Sequence, residues 1–209
     1  RGPGGPCQGA GRCFHRSQVT GKSDALQDDA ALMRRIADGD ERAYEELVNL
    51  HARSILAFGF RLLGTQEEAE EVVQETFLRA WQHAERYEPT ARVTTWLHTI
   101  ARNVALDGLR KRKPRADLAL VEAAPDSGRA GAQPGTFLER KRTALTVAEA
   151  LEQLAPRQRE AITLVHYQEL SHGEAAEVLG VGVEAVESLL SRARRKLREL
   201  LGGVARNER

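Results

Sequence analysis

The sequence predicts an all-α protein built of two small helical domains joined by a flexible linker. Three observations carry this expectation. Only 5% of the residues are aromatic and few runs are β-branched, which disfavours sheet. Apolar residues recur at three- and four-residue intervals through most of the chain, the period of a helix face. That periodicity is lost over residues 114–138 (PRADLALVEAAPDSGRAGAQPGTFL), where three prolines, three glycines and many alanines make a linker composition. A length of 209 residues is enough for one or two hydrophobic cores.

Taken in order, residues 1–24 are Gly-rich with little to bury and read as a disordered tail. Cys7, Cys13 and His15 lie there as conceivable metal ligands, but a fourth is missing and the spacing fits no standard zinc pattern, so no metal is expected. Asp28 or Asp29 is placed to cap a helix running to about Ala37, with Leu32, Met33 and Ile36 inward. Gly39-Asp40 separates it from a long helix, about Glu41 to Leu63, with Tyr44, Leu47, Val48, His51, Ile55, Phe58 and Leu62 along one side. His51 on such a stripe reads as a packed histidine. Gly64-Thr65 stops that helix and starts another, with Thr65 and Glu68 spaced as a capping box.

The next helix is acidic. Val73, Phe77 and Trp81, widened by Ala69, Val72 and Ala80, form its apolar stripe, and Glu67, Glu71, Gln74, Glu75 and Leu78 occupy the other side. A solvated face with Glu75 and Arg79 paired at i, i+4 would account for the charges. It does not account for Leu78, a second large apolar residue beside Phe77 and off the stripe. Residues 84–92 form a loop around Pro89. A basic helix follows and ends before Pro114, with Val93, Trp96, Leu97, Ile100, Ala101 and Val104 inward. Arg92, Thr95, Thr99, Arg102, Asn103 and Arg110 lie mostly away from that stripe, and Lys111, Arg112 and Lys113 close the run. These helices make a domain of about residues 25–113.

A second domain is expected over residues 139–201, with 202–209 as a tail. Ala144, Leu145, Val147, Ala148, Leu151 and Leu154 give its first helix. Pro156 suits the first turn of the next, whose apolar residues are Ala161, Ile162, Leu164 and Val165. Ser171 and Glu174 form a capping box for a short helix ending at Gly180, and a long basic helix runs from after Gly182 to about Leu201. Small Ala176 at a close crossing and Gly180 at the turn read as a helix-turn-helix, with Ala175, Leu179, Val181, Val186 and Leu189 as its core. Its second helix would then enter a major groove with Glu184, Ala185, Glu187, Ser188, Ser191 and Arg192 exposed. Arg194, Arg195, Lys196 and Arg198 are placed to meet phosphates.

The net charge of +1 hides a segregation: acid at Glu67–Glu75, base at Arg110–Arg115 and Arg192–Arg198. Local clustering, not the total, bears on nucleic acid. No apolar run reaches the length of a membrane span and no signal-peptide core is present, so a soluble, cytoplasmic protein without membrane insertion is expected. No phosphate-cradling glycine loop, nucleophile–base set or HExxH motif is present. The chain is not expected to be an enzyme or to need a cofactor.

Two strings carry a resemblance. VVQETFLRAW, WLHTIARN and the D-x-x-R at Asp107 and Arg110 resemble region 2 of the bacterial extracytoplasmic-function (ECF) sigma factors of the sigma-70 family. LAPRQREAITLVHYQELSHGEAAEVLGV with VEAVESLLSRARRKLREL resembles region 4 of the same family. The matches cover roughly residues 28–113 and 140–201, in the family's order. The resemblance implies a sigma factor that binds core RNA polymerase, through its β′ and β subunits, and directs it to promoters.

It places Glu71, Gln74, Glu75 and Leu78 on the basic coiled coil of β′. It gives the −10 element, as double- and then single-stranded promoter DNA, to Tyr87, Arg92, Thr95, Trp96, Arg102, Asn103, Arg110 and Lys111, although the spacing of Trp96 alone favours a core position. It gives the −35 element to Glu184, Ala185, Glu187, Ser188, Ser191, Arg192 and Arg195. Glu187 and Leu189 stand where many members have Lys and Arg; Glu187 is able to accept from cytosine N4. An anti-sigma factor is an implied partner, and the free chain is expected to be monomeric. Two alternatives remain open at this point. One is a helix-turn-helix regulator that does not bind polymerase; the other is a sigma mimic that titrates an anti-sigma factor.

Overall fold

The computed structural model describes residues 17–111 and 147–207, with side chains placed for residues 25–111 and 147–201. Cys7, Cys13, His15, Arg112, Lys113, the expected linker at 114–138 and the start of the second domain, with Ala144 and Leu145, lie outside the described residues. The described residues form helices α1 (Ser17–Ala37), α2 (Glu41–Leu63), α3 (Gln66–Gln82) and α4 (Val93–Lys111), then α5 (residues 147–152), α6 (Pro156–Ile162), α7 (His172–Leu179) and α8 (Val183–Asn207). They contain no strand.

Helix α2 has the bounds its local signals predict. Asp40 accepts from the backbone N–H groups of Arg42 and Ala43 at 3.0 and 3.2 Å, satisfying two of the donors a helix start leaves open. Its inner face buries Leu47, Ile55, Phe58 and Leu62. Gly59 allows α3 to come close: a Cβ there would stand 3.3 Å from the backbone Cα of Ala69.

Two caps differ from expectation. Helix α1 starts at Ser17, within the segment read as tail, so Asp29 lies in its middle. The Asp29 carboxylate instead accepts from Val93 N at 3.0 Å and Arg92 Nε at 2.7 Å, capping α4. Thr65 precedes α3 in extended conformation but makes no side-chain cap; its hydroxyl donates to Glu68 Oε2 at 2.5 Å.

In the second half, the capping box of Ser171 and Glu174 forms as expected. Gly180 takes φ +64°, the left-handed region that side chains with a Cβ avoid. The chain then turns from α7 into α8. Leu190 and Ala193 are buried with Val186, while Leu189 is only partly buried against the core. Helix α8 continues to Asn207, through most of the residues read as a tail. Between α6 and α7 the backbone widens into a π turn, Thr163–Tyr167, closed by Gln168 N donating to Thr163 O at 3.1 Å.

The two halves pack on each other. Buried apolar side chains of α1–α4 and of α5–α8 form one cluster, running from Met33 and Phe58 through Leu97 to Leu164, Leu179 and Leu190. Helix α4 lies against α7, and α2 against the π turn.

Candidate functional site

Three surfaces carry the predicted residues, and the fold keeps them apart by the way each helix buries its apolar stripe. On α3, Ala69, Val72, Thr76, Phe77 and Ala80 face the core. That leaves Glu67, Glu71, Gln74 and Leu78 exposed. Glu75 is half-exposed and its carboxylate accepts from Arg79 Nε at 2.6 Å. Leu78 is 48% exposed, so its apolar side chain stands in solvent among these acids. Acids at Glu67 and Glu68 also sit in the first turn, where they complement the helix dipole.

The second surface is α4 with the loop before it. Asn103, Arg110 and Lys111 are exposed, and Arg110 reaches its neighbour Asp107 at 3.1 Å. Arg92 is tied to Asp29. Tyr87 donates its hydroxyl to Ala91 O at 2.7 Å, and its ring stands edge-on to Trp96 with centroids 5.7 Å apart. Burial and the nearby Asp29 carboxylate push the Tyr87 phenol up to about 12, so it remains a protonated donor. Trp96 is partly buried against the core. Two of the predicted residues are not on the surface. Thr95 is 2% exposed and its hydroxyl has no hydrogen-bond partner. The Arg102 side chain is 11% exposed and reaches Glu160 at 2.6 Å.

The third surface is α8. Glu184, Ala185, Glu187, Ser188, Ser191, Arg192 and Arg195 are all exposed, because Val186, Leu190 and Ala193 take the inward positions. Glu187 stands 3.4 Å from His172 Nδ1, and Arg194 points back to His166, with Nη2 3.1 Å from its Nε2. Arg192, Arg195 and Lys196 line a shallow cleft of about 300 Å³ with Gln153, Ala155, Gln158 and Glu199. Three cations against one carboxylate leave the concavity net positive, a charge suited to an oxyanion of a nucleic-acid backbone.

Sequence reasoning missed three residues: Asp29 as the anchor of Arg92, Glu160 as the partner of Arg102, and His98. The first two act over 63 and 58 residues of sequence, and no short-range pattern signals such a pairing. His98 is 1% exposed, with Nδ1 2.8 Å from Thr94 O and Nε2 3.5 Å from Ser54 Oγ. Among the described residues no cluster of three or more His, Cys, Asp or Glu forms a metal site, and no helix is long and apolar enough to cross a membrane.

These surfaces coincide with two family segments. Residues 47–115 match the family model described as Sigma-70 region 2, and residues 144–197 match that described as Sigma-70, region 4. The chain is 34% identical over 188 residues to the ECF RNA polymerase sigma factor SigG of Mycobacterium tuberculosis (strain CDC 1551 / Oshkosh); the match covers 80% of this chain but spans only 50% of that relative. It is 36% identical over 177 residues to SigL of Mycobacterium tuberculosis (strain ATCC 35801 / TMC 107 / Erdman), covering 84% of this chain and 92% of the relative. The solved structure of the sigma factor RpoE in complex with the anti-sigma factor NepR from Bartonella quintana aligns with a TM-score of 0.61 at 28% identity, over 76% of this chain and 96% of that one. With both segments present in order and 36% identity across nearly the whole of one such relative, the chain belongs to the ECF sigma factors of RNA polymerase.

Proposed function

We propose that this chain directs RNA polymerase to promoters in the bacterial cytoplasm: α3 docks on the β′ subunit, α4 and its loop hold the −10 element, and α8 reads the −35 element. The observation that carries this reading is the segregation of exposed charge. Glu71, Gln74, Glu75 and Leu78 present acid and one apolar side chain on α3, the mixture suited to a basic protein surface. Asn103, Arg110 and Lys111 on α4, and Arg192 and Arg195 on α8, present donors and cations to DNA. A regulator that bound DNA alone would leave the α3 face without a use.

On α4 and the loop before it, Trp96 and Tyr87 offer aromatic rings near Arg92, a combination able to stack an unpaired base while a cation holds its phosphate. On α8, Glu184, Ala185, Glu187, Ser188 and Ser191 fall on the turns that meet base edges in a major groove, and Arg192 and Arg195 meet phosphates. No step requires catalysis by this chain. An anti-sigma factor is a fitting partner, since the RpoE–NepR complex pairs a sigma factor of similar fold with one.

Run-off transcription with purified core polymerase tests the reading, with promoter fragments taken from the protein's own genome. Defined start sites that depend on the chain are expected; transcripts from none of the fragments, with the protein folded, would refute it. Glu75→Arg places a second cation beside Arg79 and should weaken core polymerase binding by about tenfold or more, through like-charge contact with a basic partner. Unchanged affinity would move the interface off α3.

A further inference from the structure

Helix α4 supplies the cations proposed above for the −10 element, yet one of them is engaged inside the protein. Arg102 Nε donates to Glu160 Oε2 at 2.6 Å, and the two side chains are 11% and 4% exposed. The pair bridges the two halves of the chain. Around it, Ser54 Oγ donates to Gln168 Oε1 at 2.5 Å, Arg159 Nη1 donates to Leu62 O at 3.2 Å, and the Arg61 guanidinium lies 4.0 Å from the centre of the Tyr167 ring. The π turn has a role in this arrangement, because its extra residue sets Tyr167 and Gln168 against α2.

Two physical points bear on this joint. A guanidinium recognises paired anionic oxygens, and a carboxylate and a phosphate present them alike; Arg102 can hold one or the other. Second, elements named for positions −10 and −35 lie about 25 base pairs apart, or about 85 Å along the duplex. Helix α4 touches α7 directly, so both halves cannot sit on their elements in this arrangement.

We propose that the Arg102–Glu160 pair is a latch that holds the chain closed, with Glu160 occupying the place a DNA phosphate takes on Arg102 once the halves separate. The latch rests on the reading of Arg102 as a DNA contact. A buried ion pair is suited to such a role: desolvation offsets most of its attraction, so replacing one anion by another costs little, whereas removing one partner is felt strongly.

The test uses the full chain and three measurements: the radius of gyration by small-angle X-ray scattering, helix content by circular dichroism, and binding of a short fluorescein-labelled DNA single strand of mixed sequence. Glu160→Gln keeps the shape of the side chain and removes its charge. It should leave helix content unchanged, raise the radius and tighten strand binding by about tenfold, the gain expected when a closed population of about nine-tenths is released. Arg102→Ala should also raise the radius but weaken strand binding, and adding Glu160→Gln to it should change neither further. Opposite effects on DNA from the two halves of one ion pair distinguish a latch from a merely stabilising contact.

Should Glu160→Gln lose helix content, Gln168→Ala, which removes the Ser54 hydrogen bond at the same joint, should move radius and affinity in the same direction. If neither Glu160→Gln nor Gln168→Ala changes radius or affinity while Arg102→Ala weakens binding, the latch is refuted and the DNA role of Arg102 stands. If Arg102→Ala leaves strand binding untouched, that role is refuted and the exchange falls with it.

Discussion

Asp29 and His98 show how single side chains on the buried side set up a binding surface. Asp29 lies in α1, yet it closes the first turn of α4 and fixes Arg92 beside Tyr87. Losing a helix cap costs about 1 kcal/mol, and up to about 2 in well-ordered sites. Asp29→Ala should therefore lower the unfolding free energy by that amount, read as a lower urea midpoint at an unchanged slope; an unchanged midpoint would mean that α4 starts without it.

His98 sits in the core, where burial holds its imidazole below the ordinary histidine value of 6.5, opposed in part by Thr94 O and Gln168. The folded state then takes up the proton less readily than the unfolded chain. Its stability contribution is complete above about pH 6.5 and is lost as pH falls toward the lowered folded value, with a slope of at most about 1.4 kcal/mol per pH unit. His51 and His166 shift the same way, chiefly by burial. Unfolding free energy should thus fall from pH 7 to pH 5, and His98→Gln should flatten the decline, read as ΔG from urea titrations at each pH. An equal slope in the variant would show that His98 is not a contributor.

At the level of the helix, one rule recurs: burying the apolar stripe decides what is left for partners. Val186, Leu190 and Ala193 turn inward on α8, and Arg192, Arg195 and Lys196 are thereby gathered at one cleft. Each phosphate contact releases condensed counterions, giving a slope of about −0.9 in log K against log salt on duplex DNA. Replacing Arg192 and Arg195 together by Ala in the full chain should flatten that slope by nearly two, measured by anisotropy on promoter duplex across a salt series. An unaltered slope would place both side chains off the backbone.

Helix limits were legible wherever their causes are local. Asp40 and Gly64 bound α2 where expected, and Ser171 with Glu174 opens α7, because a cap involves residues two to four apart. The same rule misassigned Asp29, since an aspartate ahead of an apolar run looks like a cap whether or not its true acceptor role lies 64 residues away. It also overcounted at Thr65, where the hydroxyl donates to Glu68 instead of accepting from the backbone.

Over the whole molecule, the two halves share one apolar cluster and a set of polar bridges: Arg102–Glu160, Ser54–Gln168 and Arg159–Leu62.

Periodicity, caps and two motif strings were sufficient to establish an all-α chain, its family and the surfaces on which α3 and α8 present their charges, because each depends on spacings within one helix. What only the tertiary structure decided is which of those charges are available. Arg102 reads as a free cation in sequence and is the buried partner of Glu160; Thr95 reads as a surface hydroxyl and is core. Pairing across 58 residues depends on how two helical layers meet, and desolvation is a property of that meeting, not of any stretch of chain.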